Sequence, residues 1–276
     1  MTAPIHFEQC AIVPPKLTVF ALDTHPHPLG VELKDDHTLR ISNLHDTEMK
    51  FHPIADVDTN CALTKILGVE SEEANIYVTT ATSLVHLMHS PAGFQLEKII
   101  PNPRCSWILK SHSERGAFLC SDSQVMLKTN GECEVIVEGI DPSHVAIRNN
   151  RVVSLEQKDE KRWRVASRNE TAKVKWSSSF CDTFNCICLL KEEFCLMINS
   201  QGEIGAVNLS SGKYRKFETD LSQLNFQDIC ARRHERSTTI IAKIDNDSYI
   251  SVYRADLDWA EVFGERTGGR FTCVML

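Results

Sequence analysis

Short β-strand patterns recur in sets of four along this chain, and no other feature limits the possible folds as much. Each pattern is a run of five to eight apolar or alternating residues that ends in a turn cluster, and helical periodicity is nearly absent. Turn pairs such as Asn149-Asn150 and Ser211-Gly212 favour hairpins between the runs. The sets repeat about every forty residues, because their fourth runs begin near Met49, Phe94, Cys133, Ala172, Tyr214 and Asp258.

A repeat of four antiparallel strands at this period is typical of the blades of a β-propeller. A single four-stranded sheet has two apolar faces, and stacking the sheets in a ring buries both of them. The chain resembles the WD-repeat class in period and strand pattern. It lacks the Gly-His and Trp-Asp signatures of that class, since Asp258-Trp259 has the reverse order. The resemblance implies a rigid ring that binds other proteins.

The number of blades follows from the number of sets. Five complete sets lie between about residues 60 and 264, residues 16–54 supply a sixth, and one run at each end of the chain is unassigned. Rings usually close by mixing N- and C-terminal strands in one blade. We therefore expect residues 1–276 to form one all-β domain, a propeller of six four-stranded antiparallel blades. A seven-bladed ring and an N-terminal piece of a longer propeller are the alternatives.

The same pattern predicts which side chains are buried. Strands that face neighbouring blades should place their apolar residues in the core. The expected core positions include Val145, Ile147, Val152, Val153, Ile187, Leu189, Ile240, Ile241 and Ile244.

The composition favours a cytoplasmic or nuclear protein. Eleven cysteines without regular spacing are typical of reduced thiols rather than of a disulfide framework. No run approaches the roughly 18 apolar residues of a membrane span, and the first residues lack the basic and apolar regions of a secretion signal. No phosphate-binding glycine loop and no nucleophile elbow is present, so we expect no cofactor.

Charge is distributed unevenly and suggests a docking face. The formal net charge is −7, and residues 148–175 hold nine basic and four acidic residues. Lys161, Arg162, Trp163 and Arg164 form the centre of this stretch. It predicts contact with an acidic protein partner, although solvated strands alone would also explain it. Nucleic acid is a poor candidate, since the sequence pI is about 5.9 and the chain has only four tryptophans.

An enzyme-like motif gives the alternative function. Asp23, His25 and His27 follow an apolar run, and this spacing resembles the metal-binding opening of amidohydrolase-type barrels. Two imidazoles at this spacing can reach one Zn²⁺ ion. That barrel needs eight strands that alternate with long helices, whereas this chain shows strand after strand. We therefore expect a non-catalytic scaffold, with a metal-dependent hydrolase as the alternative.

Two cysteine patterns have a structural and a functional interpretation each. Cys181, Cys186, Cys188 and Cys195 could bind zinc, but Cys186 and Cys188 lie on one face of an apolar run and are expected in the core. Cys273 begins a C-a-a-X box that would accept a prenyl chain. The same residues also fit a closing β-strand. Membrane association is expected only if Cys273 is prenylated.

Overall fold

The computed structural model describes twelve segments of the chain, and every structural statement below concerns these segments. They are residues 5–14, 16–45, 48–102, 108–113, 116–121, 123–129, 132–168, 174–190, 194–220, 226–234, 237–245 and 250–257. Within them no helix is long and apolar enough to cross a membrane.

The described segments contain 24 β-strands and one short 3₁₀ turn, at Pro142–His144. The strands are β1 Glu8–Val13, β2 Thr18–Phe20, β3 Leu29–Leu33, β4 Thr38–His45, β5 Lys50–Asp58, β6 Ile66–Glu72, β7 Asn75–Thr80, β8 Ser83–Ser90, β9 Gly93–Pro101, β10 Ile108–Ser113, β11 Gly116–Cys120, β12 Gln124–Thr129, β13 Glu132–Glu138, β14 Val145–Arg148, β15 Arg151–Asp159, β16 Arg162–Arg168, β17 Val174–Trp176, β18 Cys186–Leu190, β19 Phe194–Ile198, β20 Ile204–Asn208, β21 Tyr214–Phe217, β22 Phe226–His234, β23 Ser237–Asp245 and β24 Ile250–Leu257.

These strands form four-stranded antiparallel sheets, which are the blades of a β-propeller. Five blades use consecutive strands: blade 1 is β2 to β5, blade 2 is β6 to β9, blade 3 is β10 to β13, blade 4 is β14 to β17 and blade 5 is β18 to β21. A further sheet, the composite blade, has the order β1-β24-β23-β22. The predicted all-β propeller of four-stranded antiparallel blades is confirmed.

The first strand of each blade lies at the centre of the molecule. β2 contacts β6, β6 contacts β10, β10 contacts β14, β14 contacts β18 and β18 contacts β22. At the periphery, β1 contacts β5 and β5 contacts β9. The apolar side chains between neighbouring blades form the core, since each sheet buries both of its faces.

Alternation along the strands explains this burial. On β15, Val153 and Leu155 pack toward blade 5, whereas Val152 packs toward blade 3. The predicted core positions on described side chains are buried: Val145, Ile147, Val152, Val153, Ile187 and Leu189. Ile240, Ile241 and Ile244 lie on β23, but their side chains are outside the described part of the structure. Their burial stays a prediction, as does a cost of about 2–5 kcal/mol for Ile240→Ala.

The predicted fourth strands of blades 1 to 5 are confirmed. β5, β9, β13, β17 and β21 begin within two residues of the expected positions. The fourth strand expected near Asp258 falls outside the described residues. In the composite blade, β1 occupies the edge beside β24, with Glu8 paired to Arg254 and Val13 to Ile250. The N-terminal run that the sequence left unassigned therefore completes this blade.

A short segment before β1 extends to blade 5. Ile5 and Phe7 are buried against blade 5 side chains and Ala255 of β24. The Ile5 backbone pairs with that of Thr219, and the Asp220 carboxylate accepts a hydrogen bond from the Phe7 amide at 3.0 Å. This segment therefore joins the composite blade to blade 5.

Candidate partner-binding site

The centre of the molecule contains a cavity of about 300 Å³. Its walls come from the first strands of blades 1 to 5. Aliphatic residues such as Val19, Ile66 and Ile147 line it, together with Cys186 and Cys188. The cavity is therefore bounded by strands from five different blades.

Charged side chains also line this cavity. Arg148, at the end of β14, donates to the Asp23 carboxylate from the turn after β2, so blade 4 is tied to blade 1. Lys110 on β10 forms an ion pair with Glu70 on β6. Both cationic side chains are more than nine-tenths buried. Each of the two buried cations therefore has a carboxylate partner that compensates its charge.

Arg148 therefore does not belong to a surface docking face. The sequence counted it in the basic stretch 148–175, but its side chain is only 6% exposed and bonds across the cavity. Asp23 lies 125 residues earlier in the chain, so local sequence gave no signal for this pair. The basic stretch is thus divided between the interior and the surface.

The exposed part of the stretch is the hairpin tip between β15 and β16. Lys158, Lys161 and Arg162 are exposed there. Arg162 forms an ion pair with Asp159 at 2.6 Å, and this partner raises the pKa of the guanidinium. Lys158 Nζ lies 3.2 Å from Ser179 Oγ. The tip thus presents three cations and two exposed carboxylates, Asp159 and Glu160, so its formal net charge is +1.

Trp163 and Arg164, which the sequence grouped with the tip, point in opposite directions. Trp163 is half-buried toward blade 5, where it meets His144 edge to face with ring centroids 5.8 Å apart. Its backbone pairs with that of Phe180. Arg164 lies on the other face, with its guanidinium carbon 3.3 Å from the ring centre of Trp176. Strand alternation explains this division, since successive side chains of β16 leave opposite faces.

The loop between β17 and β18, which lies beside the tip, is held in place by hydrogen bonds to Asp182. Asp182 accepts a hydrogen bond from Tyr214 at 2.6 Å and another from Lys216 at 2.8 Å. Burial disfavours the ionised carboxyl, but these two donors outweigh it, and the pKa of Asp182 lies below its usual value. Burial and the neighbouring Asp182 carboxylate raise the pKa of Tyr214.

Asp23, His25 and His27 do not assemble into a metal site. The Asp23 carboxylate binds Arg148, and His25 Nδ1 lies 3.0 Å from the backbone oxygen of His27. His25 also meets His89 edge to face, with ring centroids 5.5 Å apart. In the segments that the structure describes, no group of three His, Cys, Asp or Glu side chains is placed to hold a metal ion.

The cysteines of the 181–195 cluster are separated by the fold. Cys186 and Cys188 pack in one core cluster between blade 5 and the composite blade. Cys195 packs on the opposite face of blade 5, and Cys181 is exposed. The expected core position of Cys186 and Cys188 is confirmed. Cys273 lies outside the described residues, so prenylation and a closing strand both stay predictions.

Comparison with known proteins supports the fold. No family model matches the chain, and no curated protein matches it. Among solved structures, Hsv2p of Kluyveromyces lactis is 12% identical with a TM-score of 0.52, over 86% of this chain and 76% of that one. The Trypanosoma rangeli sialidase is 8% identical with a TM-score of 0.53, over 92% of this chain and 56% of that one. The TM-scores show a shared fold, and a fold alone does not determine activity.

Proposed function

We propose that the protein is a non-catalytic interaction scaffold of the cytoplasm or nucleus, and that it binds an acidic protein partner. The observation that carries this proposal is the hairpin tip of blade 4. Lys158, Lys161 and Arg162 are exposed there, on a chain whose formal net charge is −7. A cluster of exposed cations with a small net positive charge, on a protein that is acidic elsewhere, favours partners of opposite charge.

The fold suits such a role. The tip is a turn between two long strands, β15 and β16, which pair over most of their length. Blade 4 in turn packs between blades 3 and 5 through two apolar clusters. Loops on a rigid scaffold of this kind present binding groups at fixed positions. The tip is thus held in place before a partner binds, which lowers the entropic cost of association.

We also propose that residues 1–276 form a single domain, a closed ring of six blades. The composite blade supports this, since β1 contacts β5 of blade 1 and β22 contacts β18 of blade 5. The segment around Ile5 adds a second connection to blade 5. A ring that closes through both ends of the chain leaves no blade with an unpaired flank.

The scaffold proposal is tested by charge reversal at the tip. The tagged protein and a variant with Lys158, Lys161 and Arg162 changed to Glu are purified from the cells that naturally express it. Proteins that co-purify are quantified by mass spectrometry at about 0.15 M and 0.5 M salt. We expect the main partner to be an acidic protein that the variant loses. It should dissociate at high salt, because the Debye length falls from about 8 Å at 0.15 M to about 4 Å at 0.5 M.

A matched variant controls for net charge. Lys50, Lys65 and Lys98 are exposed on blades 1 and 2, and changing them to Glu alters the net charge equally. This variant should retain the partner. Equal recovery of the partner by the tip variant and the wild type would show that the tip is ordinary solvated surface.

A further inference from the structure

The outer part of blade 4 carries a cation stacked on a tryptophan. Arg164 and Arg168 of β16 lie on one face of the sheet. On β15, Glu156 is opposite Arg164 and Val152 is opposite Arg168. Trp176 of β17 lies on the same face, opposite Ala166. Val152 packs against blade 3, so this face of blade 4 is turned toward blade 3.

Arg164 differs from the other arginines of this strand in having no carboxylate partner. Arg162 forms an ion pair with Asp159, and Arg168 forms one with Glu156. Arg164 forms no ion pair with any residue that the structure describes, and its buried Nε has no hydrogen-bond partner among them. A guanidinium whose plane rests on an aromatic ring keeps its edge available to a planar carboxylate.

Arg164 lies between the Arg168–Glu156 ion pair and two exposed apolar side chains of β17. Val174 is 40% exposed and Trp176 is 36% exposed, and both belong to the exposed large apolar residues of the protein. Lys175, which lies between them, points to the opposite face, where its Nζ donates to the backbone oxygen of Ser210 in the neighbouring loop. The side chains of Val174 and Trp176 therefore form an accessible apolar surface beside Arg164.

We propose that Arg164, Trp176 and Val174 form a docking site for an extended segment of a partner protein that carries one carboxylate beside an apolar side chain. The carboxylate accepts hydrogen bonds from Arg164, and the apolar neighbour packs on the indole and on Val174. This inference rests on the proposed scaffold function. It adds a site that is separate from the hairpin tip.

A carboxylate on blade 3, that of Glu134, limits the partner segment to one carboxylate at this site. Glu134 of β13 pairs with Leu127 of β12, and Leu127 packs toward blade 4. Glu134 is exposed on the same side of blade 3, where it repels a second anionic group. The site is therefore complementary to an apolar segment with a single acidic residue, and not to a polyanion.

The test uses a defined peptide rather than a cellular partner. The probe is acetyl-Gly-Ser-Leu-Glu-Val-Ser-Gly-amide, and its control has Gln in place of Glu. Binding to the full chain is followed by NMR through the indole N–H resonance of Trp176, which is identified by its loss in Trp176→Phe. The Glu peptide should shift this resonance in a saturable way at millimolar concentration, and the Gln peptide should not.

Variants distinguish this site from general charge attraction. Arg164→Gln should weaken binding about tenfold, since charge-assisted hydrogen bonds contribute about that factor or more. Lys175→Gln removes a charge from the opposite face of the same strand and should change binding less than twofold. Unaltered melting temperatures would show that both variants fold.

Several outcomes would overturn the inference. It would be wrong if the wild type failed to bind the Glu peptide, or if both variants weakened binding of that peptide equally. It would also be wrong if an oligothymidylate shifted the same indole resonance at lower concentration than the peptide. The last result would assign the site to nucleic acid. In each case the scaffold proposal is judged separately, because its test measures partner loss at the hairpin tip.

Discussion

Removing Asp23 should destabilise the protein more than removing any exposed carboxylate. Its side chain is 13% exposed and that of its partner, Arg148, is 6% exposed. The pair joins the turn after β2 to the end of β14, in blades that do not adjoin. Asp23→Ala leaves the Arg148 guanidinium buried without its carboxylate, and the protein must then desolvate an uncompensated charge.

The expected cost is about 3 kcal/mol of unfolding free energy. Breaking a buried pair from one side typically costs about 3–5 kcal/mol, and the partial exposure of Asp23 favours the lower end. Adding Arg148→Met removes the buried charge and replaces it with an apolar side chain. The double variant should therefore lose only about 1 kcal/mol relative to wild type, so it is more stable than the single variant.

Urea unfolding followed by intrinsic fluorescence measures both quantities, provided that the slopes of the transitions agree. Asp159→Ala is the matched control, since it breaks the exposed Arg162 pair and should cost less than about 1 kcal/mol. The reasoning fails if Asp23→Ala costs no more than this control, or if the double variant is no more stable than Asp23→Ala.

Three further predictions concern pH, thiol reactivity and the N-terminal segment. The pKa of Asp182 is lowered in the folded state, so its contribution to stability is present above about pH 4 and lost at lower pH. The melting temperatures of the wild type and of Asp182→Asn should therefore converge as the pH falls from 7 to 3. Burial raises the pKa of Cys120 to about 12 and also raises that of Cys195. Both thiols should therefore resist a thiol reagent in the native protein, whereas the exposed Cys181 should react. Peptide mass spectrometry after labelling measures this difference. Phe7→Ala removes a buried ring and should cost about 3–5 kcal/mol in urea unfolding.

Each of these has a clear contrary result. A melting difference for Asp182→Asn that stays constant with pH would mean that its carboxylate contributes no pH-dependent stability. Labelling of Cys195 as fast as that of Cys181 would contradict the burial of β19. A Phe7→Ala variant as stable as the wild type would show that the segment before β1 does not hold blade 5.

Period and strand pattern were sufficient to predict the five blades that use consecutive strands, but not the place of β1 beside β24. Hairpin residues identified from composition are turns in the structure, and Asn149 and Asn150 adopt the positive φ values that a tight hairpin requires. The core positions of blade 4 also followed from alternation, as Val152 and Val153 show. Local chemistry thus determined the elements and much of the packing.

The candidate site was predicted less completely, for two physical reasons. Lys161 to Arg164 were treated as one patch, although the two-residue period of a strand places Trp163 and Arg164 on opposite faces. Applying that period to β16 would have separated these two side chains. The stacking of Arg164 on Trp176 depends on the register between β16 and β17. The Asp23–Arg148 pair depends on contact between distant blades, which a single sequence does not encode locally.

The pairing of β1 with β24 has a consequence for biosynthesis. Glu8 emerges from the ribosome about 240 residues before its partner Arg254, which corresponds to about 12–50 s at usual translation rates. During this time blade 1 and its successors can form in order, while the apolar residues of β1 remain without the strand that covers them. The nascent chain therefore carries an unsatisfied strand at β1 until β24 has been translated. During this interval, chaperone binding or mispairing with another nascent chain competes with correct folding.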